Sequence, residues 1–201
     1  MFGSEELNRL VECAARALQC EDAHIQECER RNKWPPGRFG FSGLRRLSGA
    51  ERYYQAIIWR ELISSFPLLA VMEWRATDKY IKQGCLRAPG PCDLAFVDTA
   101  GEPVALVEIK TWFGPSGKSE LKAIEYDMAN KLENLAIPSA ELVLTCHGSD
   151  NAEDNFQFFA CEMQIPRSSL VIKSFLTSPG CEFAVFGFMV KAQGEAHMAS
   201  A

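Results

Sequence analysis

An aspartate, a glutamate and a lysine interrupt the most apolar stretch of the chain, PCDLAFVDTAGEPVALVEIK at residues 91–110. They are Asp93, Glu108 and Lys110. Charged residues are depleted from strands, so three of them here call for a reason. Two carboxylates that meet can share a proton, can be neutralised by the lysine, or can bind a divalent cation such as Mg2+. The simplest alternative is a solvated strand end with a chance salt bridge.

Strand geometry predicts that the three side chains converge. The stretch predicts strands at 92–98 and 103–110, joined by a tight turn. Opposed residues in an antiparallel pair keep a constant sum of residue numbers, so this turn places Asp93 opposite Glu108. Opposed side chains share a face, with Cβ atoms roughly 5 Å apart, and the period of two adds Lys110 to that face. A slip of one residue in the turn would move Asp93 to the other face.

The rest of the pattern predicts an alternation of helices and strands that positions this hairpin. Amphipathic helices are expected at 5–29, as one helix or two short ones, at 48–66 with a capping box from Ser48 to Glu51, and at 119–135. Strands are expected at 68–76, 141–147, 156–163, 169–175 and 182–190, in addition to the hairpin. The central order is therefore helix, three strands, helix and strand.

This order and the spacing of the acids carry a resemblance to a known family. Pro91-Cys92-Asp93, then fourteen residues, then Glu108-Ile109-Lys110 resembles the signature of the PD-(D/E)xK, or restriction-endonuclease-like, nuclease superfamily. The resemblance implies an α/β fold with an α-β-β-β-α-β core and a mixed central sheet. Here the core would carry an N-terminal helical extension and extra C-terminal strands. Cys92 departs from the pattern, because it separates the proline from the aspartate.

The resemblance also implies roles for individual residues. Asp93 and Glu108 would bind Mg2+ or Mn2+, and the main-chain carbonyl of Ile109 would be a further ligand. Lys110 would orient or activate the attacking water. The family resemblance thus implies a metal-dependent nuclease that hydrolyses phosphodiester bonds, with DNA as the expected substrate.

Two neighbouring helices offer further site residues. Many family members place a glutamate on the helix before the first core strand, and Glu51 matches best, with Glu61 second. The alternative role of Glu51 is an acid at a helix N-terminus. On the helix after the hairpin, Lys131 is a candidate phosphate contact, but its spacing from Asp127 favours a surface ion pair between the two.

The charge of the chain is unevenly distributed. Residues 30–60 hold eight bases and one acid, a balance of +7, whereas residues 1–29 have a balance of −5. Such a basic segment, with Trp34, Phe39 and Phe41 interleaved, can follow a phosphate backbone and stack on bases. The expected nucleic-acid contacts are Arg38, Arg45, Arg46 and Arg52. Alternatively, the basic segment lies on the acidic first helix.

Composition and length bound the remaining choices. The chain has 201 residues, is 47% hydrophobic and 23% charged, and suits one compact domain. Its expected parts are an N-terminal helix and basic loop at 1–47, a core at 48–195 and a tag-like tail at 196–201. We expect a cytoplasmic protein without membrane contact, because no signal peptide or long apolar run is present. The eight cysteines lack metal-site spacing, and most of them are expected to be reduced thiols packed as small hydrophobes.

Three functional hypotheses stay open on the sequence. The nuclease is the first. The second is a catalytically silent module of the same fold that binds nucleic acid or a protein partner, since function depends on the site and not on the fold. The third is a protein whose acids hold a structural ion. The aromatic strand at 182–190 either extends the sheet, which we favour, or forms the interface of a homodimer.

Overall fold

The chain folds into alternating helices and strands. The computed structural model describes residues 2–35, 43–44, 50–85, 89–112, 114–145, 152–177 and 181–190. Within these ranges the α-helices are α1 (Ser4–Asn32), α2 (Glu51–Ser65), α3 (Lys118–Asn130) and α4 (Ala152–Glu162). The strands are β1 (Leu69–Trp74), β2 (Cys92–Val97), β3 (Pro103–Trp112), β4 (Ser139–Thr145), β5 (Leu170–Thr177) and β6 (Cys181–Val190). The predicted α/β class is confirmed, and α2-β1-β2-β3-α3-β4 follows the predicted central order.

All six described strands form one mixed sheet in the order β1-β2-β3-β4-β6-β5. β3 and β4 are parallel, and the other neighbouring pairs are antiparallel. Parallel neighbours need a crossover connection, and α3 provides it between β3 and β4. The last two strands extend the sheet beyond β4, as we favoured.

Helices cover both faces of the sheet. Along β3, Ala105, Val107 and Ile109 join the apolar cluster under α1 and α2, whereas Leu106 and Trp112 join the cluster under α3 and α4. This alternation is the one that the period of two predicts for a strand. It assigns the charged side chains between these residues to the face that α3 and α4 cover.

The β2–β3 hairpin has the predicted register near the site but not at its turn. The constant sum holds for the pairs Leu94–Val107, Ala95–Leu106 and Phe96–Ala105. A bulge then pairs Val97 with Pro103, so the predicted pairing of Asp98 with Pro103 is wrong. Asp98 instead closes the turn, because its Oδ1 accepts hydrogen bonds from the backbone amides of Ala100 at 2.8 Å and Glu102 at 3.0 Å.

The prediction of a strand at 156–163 is wrong, because most of this segment belongs to α4. Phe156, Phe159 and Met163 recur at spacings of three and four and are buried in the cluster between α4 and the sheet. A short apolar run such as FQFFA fits a buried strand and a helix equally well, and here the helical period prevails.

Close packing holds α1 on the sheet. A Cβ atom added to Gly187 of β6 would lie 2.4 Å from Cγ2 of Val11 in α1.

Among the described residues no helix is both long and apolar enough to cross a membrane.

Six cysteines are free thiols, which fits the expected reduced state: Cys13, Cys20, Cys28, Cys85, Cys92 and Cys161. Cys13 and Cys92 are buried, as predicted for most of the cysteines, whereas Cys20 and Cys161 are exposed.

Candidate active site

Adjoining strands bring carboxylates to one face of the sheet. The hairpin register places Asp93 of β2 beside Glu108 of β3. In the parallel pair β3–β4, Glu108 has Glu141 as its Cα partner. Side chains of directly paired residues lie on the same face. Acids from three neighbouring strands therefore lie side by side on the face covered by α3.

Backbone amides bind the two predicted acids crosswise. The amide of Asp93 donates to Oε1 of Glu108 at 3.3 Å, and the amide of Ile109 donates to Oδ2 of Asp93 at 2.7 Å. The convergence predicted for Asp93 and Glu108 is thus present. The backbone N–H of Ile109 is therefore hydrogen-bonded to Asp93.

Two lysines reach into the same cluster. Nζ of Lys110 lies 2.8 Å from Oδ2 of Asp127, 3.8 Å from Oε2 of Glu108 and 3.9 Å from Oε1 of Glu51. Lys131 forms an ion pair with Oε1 of Glu108. The favoured i,i+4 pair between Asp127 and Lys131 is wrong, because each of these residues is paired with a residue of β3. The packing of α3 on the sheet therefore pairs Asp127 with Lys110 and Lys131 with Glu108, in place of the pair within the helix.

Glu51 joins the cluster from the first turn of α2. Its Oε2 accepts a hydrogen bond from the backbone amide of Thr111 at 3.1 Å. Glu61, the second choice, instead pairs with Arg16 of α1 at 2.7 Å. The predicted capping box is wrong, because α2 begins at Glu51 and its N-cap residue is Ala50. The Glu51 carboxylate instead accepts the hydrogen bond from Thr111 of β3. Ser48 lies outside the described residues.

Glu141 is a site residue that the sequence reasoning missed. Its side chain is fully buried, and neither carboxylate oxygen has a hydrogen-bond partner among the described residues. Burial, followed by repulsion from Glu108, raises the pKa of Glu141 well above its ordinary value. The available signal was an acid inside ELVLTCH, which otherwise has the composition of a buried strand.

Burial dominates the pKa values of the other acids. Burial and then the charge of Asp93 raise the pKa of Glu108 to about 7, although Lys131 and Lys110 oppose the rise. Burial also raises the pKa of Asp93 and of Glu51, against the effect of Lys110 and of backbone hydrogen bonds. The two lysines therefore do not fully offset the negative charge that the fold collects here.

Lys110 is a cation at neutral pH. Burial alone would lower its pKa, but the hydrogen bond to Asp127 and the charge of Glu51 outweigh burial and raise the pKa above its ordinary value. Lys110 is therefore able to donate a hydrogen bond or attract an anion, and this arrangement does not make it a base.

The basic segment is only partly described. Arg38, Arg45 and Arg46, with Phe39 and Phe41, lie outside the described residues. Arg52 is exposed beside Glu51 in α2. Other bases of the segment pair with acids of α1: Arg60 lies 3.3 Å from Glu21, and Arg30 lies 2.7 Å from Glu27. Because Arg30 itself belongs to α1, of these two bases only Arg60 matches the alternative interpretation, a base in contact with the acidic first helix.

The side chains of the cluster are not arranged as a ready metal site. Within the described ranges no three His, Cys, Asp or Glu side chains form a preformed metal site.

Comparison with known proteins adds no assignment: no family model matches the chain, and no curated protein or solved structure matches it significantly. The PD-(D/E)xK resemblance therefore stays a prediction. What the cluster offers chemically is buried carboxylate oxygens beside two ammonium groups.

Proposed function

We propose that this chain is a metal-dependent nuclease with a restriction-endonuclease-like core, which hydrolyses phosphodiester bonds and takes DNA as its substrate. The observation that carries the proposal is the meeting of Asp93 and Glu108 with Lys110 at a buried point of the sheet. The mixed sheet and the α2-β1-β2-β3-α3-β4 order support the family resemblance.

The donor set fits a hard divalent cation. Asp93, Glu108 and the carbonyl of Ile109 would hold Mg2+ or Mn2+, since such ions prefer oxygen ligands. The unpartnered carboxyl group of Glu141 supports this fit, because a buried acid without a hydrogen bond is costly, and a cation beside it would compensate the charge of its ionised form. When bound, the cation would supply a Lewis acid and a bound water of lowered pKa.

The protein's own groups would position the substrate. Lys110 is held as a cation by Asp127 and Glu51, so its ammonium group can donate to the attacking water or to a phosphoryl oxygen. Lys131 is available for a phosphate once a cation has taken its place beside Glu108. Water orientation and charge stabilisation are therefore assigned to separate lysines.

A second candidate is a silent module of the same fold that binds nucleic acid. The observation in its favour is that ammonium groups already contact Glu108 and Asp127, which neutralises part of the cluster without a metal. In that case Lys110 and Lys131 would act as structural partners of the acids, and the fold would bind without cutting.

Cleavage assays with matched variants test the proposal. Supercoiled plasmid, single-stranded DNA and RNA would be incubated with Mg2+, Mn2+ or EDTA, using the wild type, Glu108→Gln and Lys110→Met. Loss of a positioned proton donor or acceptor typically costs about 100- to 10,000-fold, so we expect each variant to lose at least about 100-fold in rate. Lys122→Met, at an exposed position of α3, is the control that should keep full activity.

Circular dichroism would first show that each variant is folded. Metal-dependent cleavage that both site variants lose would establish the nuclease. Binding of nucleic acid without cleavage would favour the silent module. Retention of Mg2+ with neither binding nor cleavage would favour the structural-ion protein and contradict the proposal.

A further inference from the structure

A cavity of about 740 Å3 lies beside the candidate active site. One wall is the last turn of α3, and further lining residues come from the chain before β2: Gly84, Cys85, Pro89, Gly90 and Pro91. Asp127 and Lys131 line this cavity and also pair with Lys110 and Glu108. A molecule in the cavity would therefore reach the catalytic groups at its inner end.

The lining has an unusual combination of groups. Tyr126, an aromatic residue that is 66% exposed, lies among the lining residues. Beside it, the amide nitrogen of Asn130 donates to the Tyr126 carbonyl at 2.9 Å, which fixes this polar side chain next to the tyrosine. Among the described lining residues the charged side chains are Asp127 and Lys131, and Asp127 is bound to Lys110. Lys131 is the cation among these lining residues; it is paired with Glu108 and becomes available to a phosphate when a metal ion takes its place there.

These groups suit a nucleotide better than a purely apolar or purely anionic ligand. A flat base would find the Tyr126 ring and polar neighbours, and its phosphate would find Lys131 at the end next to Glu108. The volume lies within the roughly 300–1,000 Å3 typical of pockets that enclose small ligands. Stacking on an aromatic side chain is tolerant of base identity, because every base has a π-face.

We propose that this cavity receives an unstacked base next to the phosphate that is cleaved, so that the protein acts on single-stranded nucleic acid in preference to duplex. The inference rests on the proposed function, because it takes the acid and lysine cluster as the point of cleavage. Bases inside a duplex are stacked and paired, and bringing one into the cavity would cost the free energy of unstacking and unpairing. Single strands avoid that cost.

Binding without cleavage tests the inference directly. Fluorescence anisotropy in EDTA would compare three ligands: an oligodeoxythymidylate, an abasic oligomer with the same number of phosphates, and a duplex. We expect the wild type to bind the thymidylate most tightly. We expect Tyr126→Ala to weaken thymidylate binding by about 5- to 150-fold, the effect typical of a lost base stack. Binding of the abasic oligomer should be unchanged in this variant, because its phosphates make the same contacts.

Two control variants separate stacking from other effects. Tyr126→Phe keeps the aromatic ring and should bind like the wild type. Tyr53→Ala removes another exposed tyrosine, on α2 and outside the cavity, and should leave the preference for thymidylate unchanged.

Equal thymidylate binding by wild type and Tyr126→Ala, or tighter binding of the duplex, would overturn the inference. The proposed function would stand in either case if the wild type still cleaves nucleic acid. A wild type that binds none of the three ligands and cleaves no substrate would contradict both.

Discussion

Replacing Glu141 by methionine is expected to stabilise the metal-free protein. Glu141 is fully buried in β4, and its two carboxylate oxygens have no hydrogen-bond partner among the described residues. Methionine has a flexible unbranched side chain that fills irregular core space and needs no hydrogen bond. The substitution therefore removes an unsatisfied polar group while roughly conserving the volume of the core.

The size of the gain follows from two opposing contributions. An unsatisfied buried polar group costs about 1–3 kcal/mol, and a volume-conserving core substitution costs less than about 1.5 kcal/mol. The expected net gain is about 1 kcal/mol. For a chain of this size, about 1 kcal/mol changes Tm by about 2–4 °C.

The gain should grow with pH. Burial and the charge of Glu108 hold the pKa of Glu141 above its ordinary value, so the folded protein keeps a proton that the unfolded chain releases. The stabilisation linked to this proton is complete below the ordinary pKa and is lost as pH rises toward the folded-state pKa. Because the methionine variant has no such loss, its advantage over the wild type should be larger at about pH 8 than at about pH 5.

Urea unfolding followed by tryptophan fluorescence, in EDTA and at both pH values, would measure the difference. Glu125→Met, at an exposed position of α3, is the matched control and should change the free energy of unfolding by less than about 0.5 kcal/mol. A clear loss of stability in Glu141→Met, or a gain that does not depend on pH, would refute the reasoning. A loss of stability would mean that the Glu141 carboxylate has a favourable interaction in the fold, and a gain that does not depend on pH would mean that folding does not raise its pKa.

Three other substitutions have expected outcomes. Gly43→Ala should lower the free energy of unfolding by roughly 1–3 kcal/mol, because Gly43 has φ +61° and an added Cβ would lie 2.1 Å from Oδ1 of Asp22; an unchanged urea midpoint would contradict this. Gly187→Ala should cost about 1–3 kcal/mol through overpacking, since the new methyl would lie 2.4 Å from a side chain of α1; calorimetry would detect it. Lys131→Met should raise the pKa of Glu108 further above about 7, because it removes a cation that opposes the rise. NMR would follow the titration of the Glu108 carboxyl group, and a lower pKa in the variant than in the wild type would exclude this role of Lys131.

Local rules predicted the hairpin at the centre of the site. The period of two and the constant sum were enough to place Asp93 beside Glu108 and Lys110 on the same face. They failed at Asp98, whose side chain closes the turn by accepting a hydrogen bond from Glu102. A bulge also shifts the strand pairing, but only from Val97 onward. Because the bulge lies on the turn side of the register, the site was unaffected by the error.

The rest of the site depends on contacts that no local rule describes. The partners of Lys110 and Lys131 are set by how α3 packs on β3, and that packing overrides the i,i+4 spacing within the helix. Glu141 was missed for a related reason. Strand composition predicted that β4 is buried, but only the register with β3 places this acid next to Glu108.

The cluster is therefore costly for the free protein, and this cost bears on its function. Glu51, Asp93, Glu108 and Glu141 all have raised pKa values, and burial is the first cause for each. Replacing buried charged groups by apolar residues is often neutral or stabilising, so packing alone gives no reason for four such acids at one point of a sheet. A cation that binds only the folded state would offset their repulsion and stabilise the protein by mass action. The same grouping of buried carboxyl groups that lowers the stability of the metal-free protein is what a cation-dependent hydrolase needs, and the nuclease proposal accounts for both properties with one set of residues.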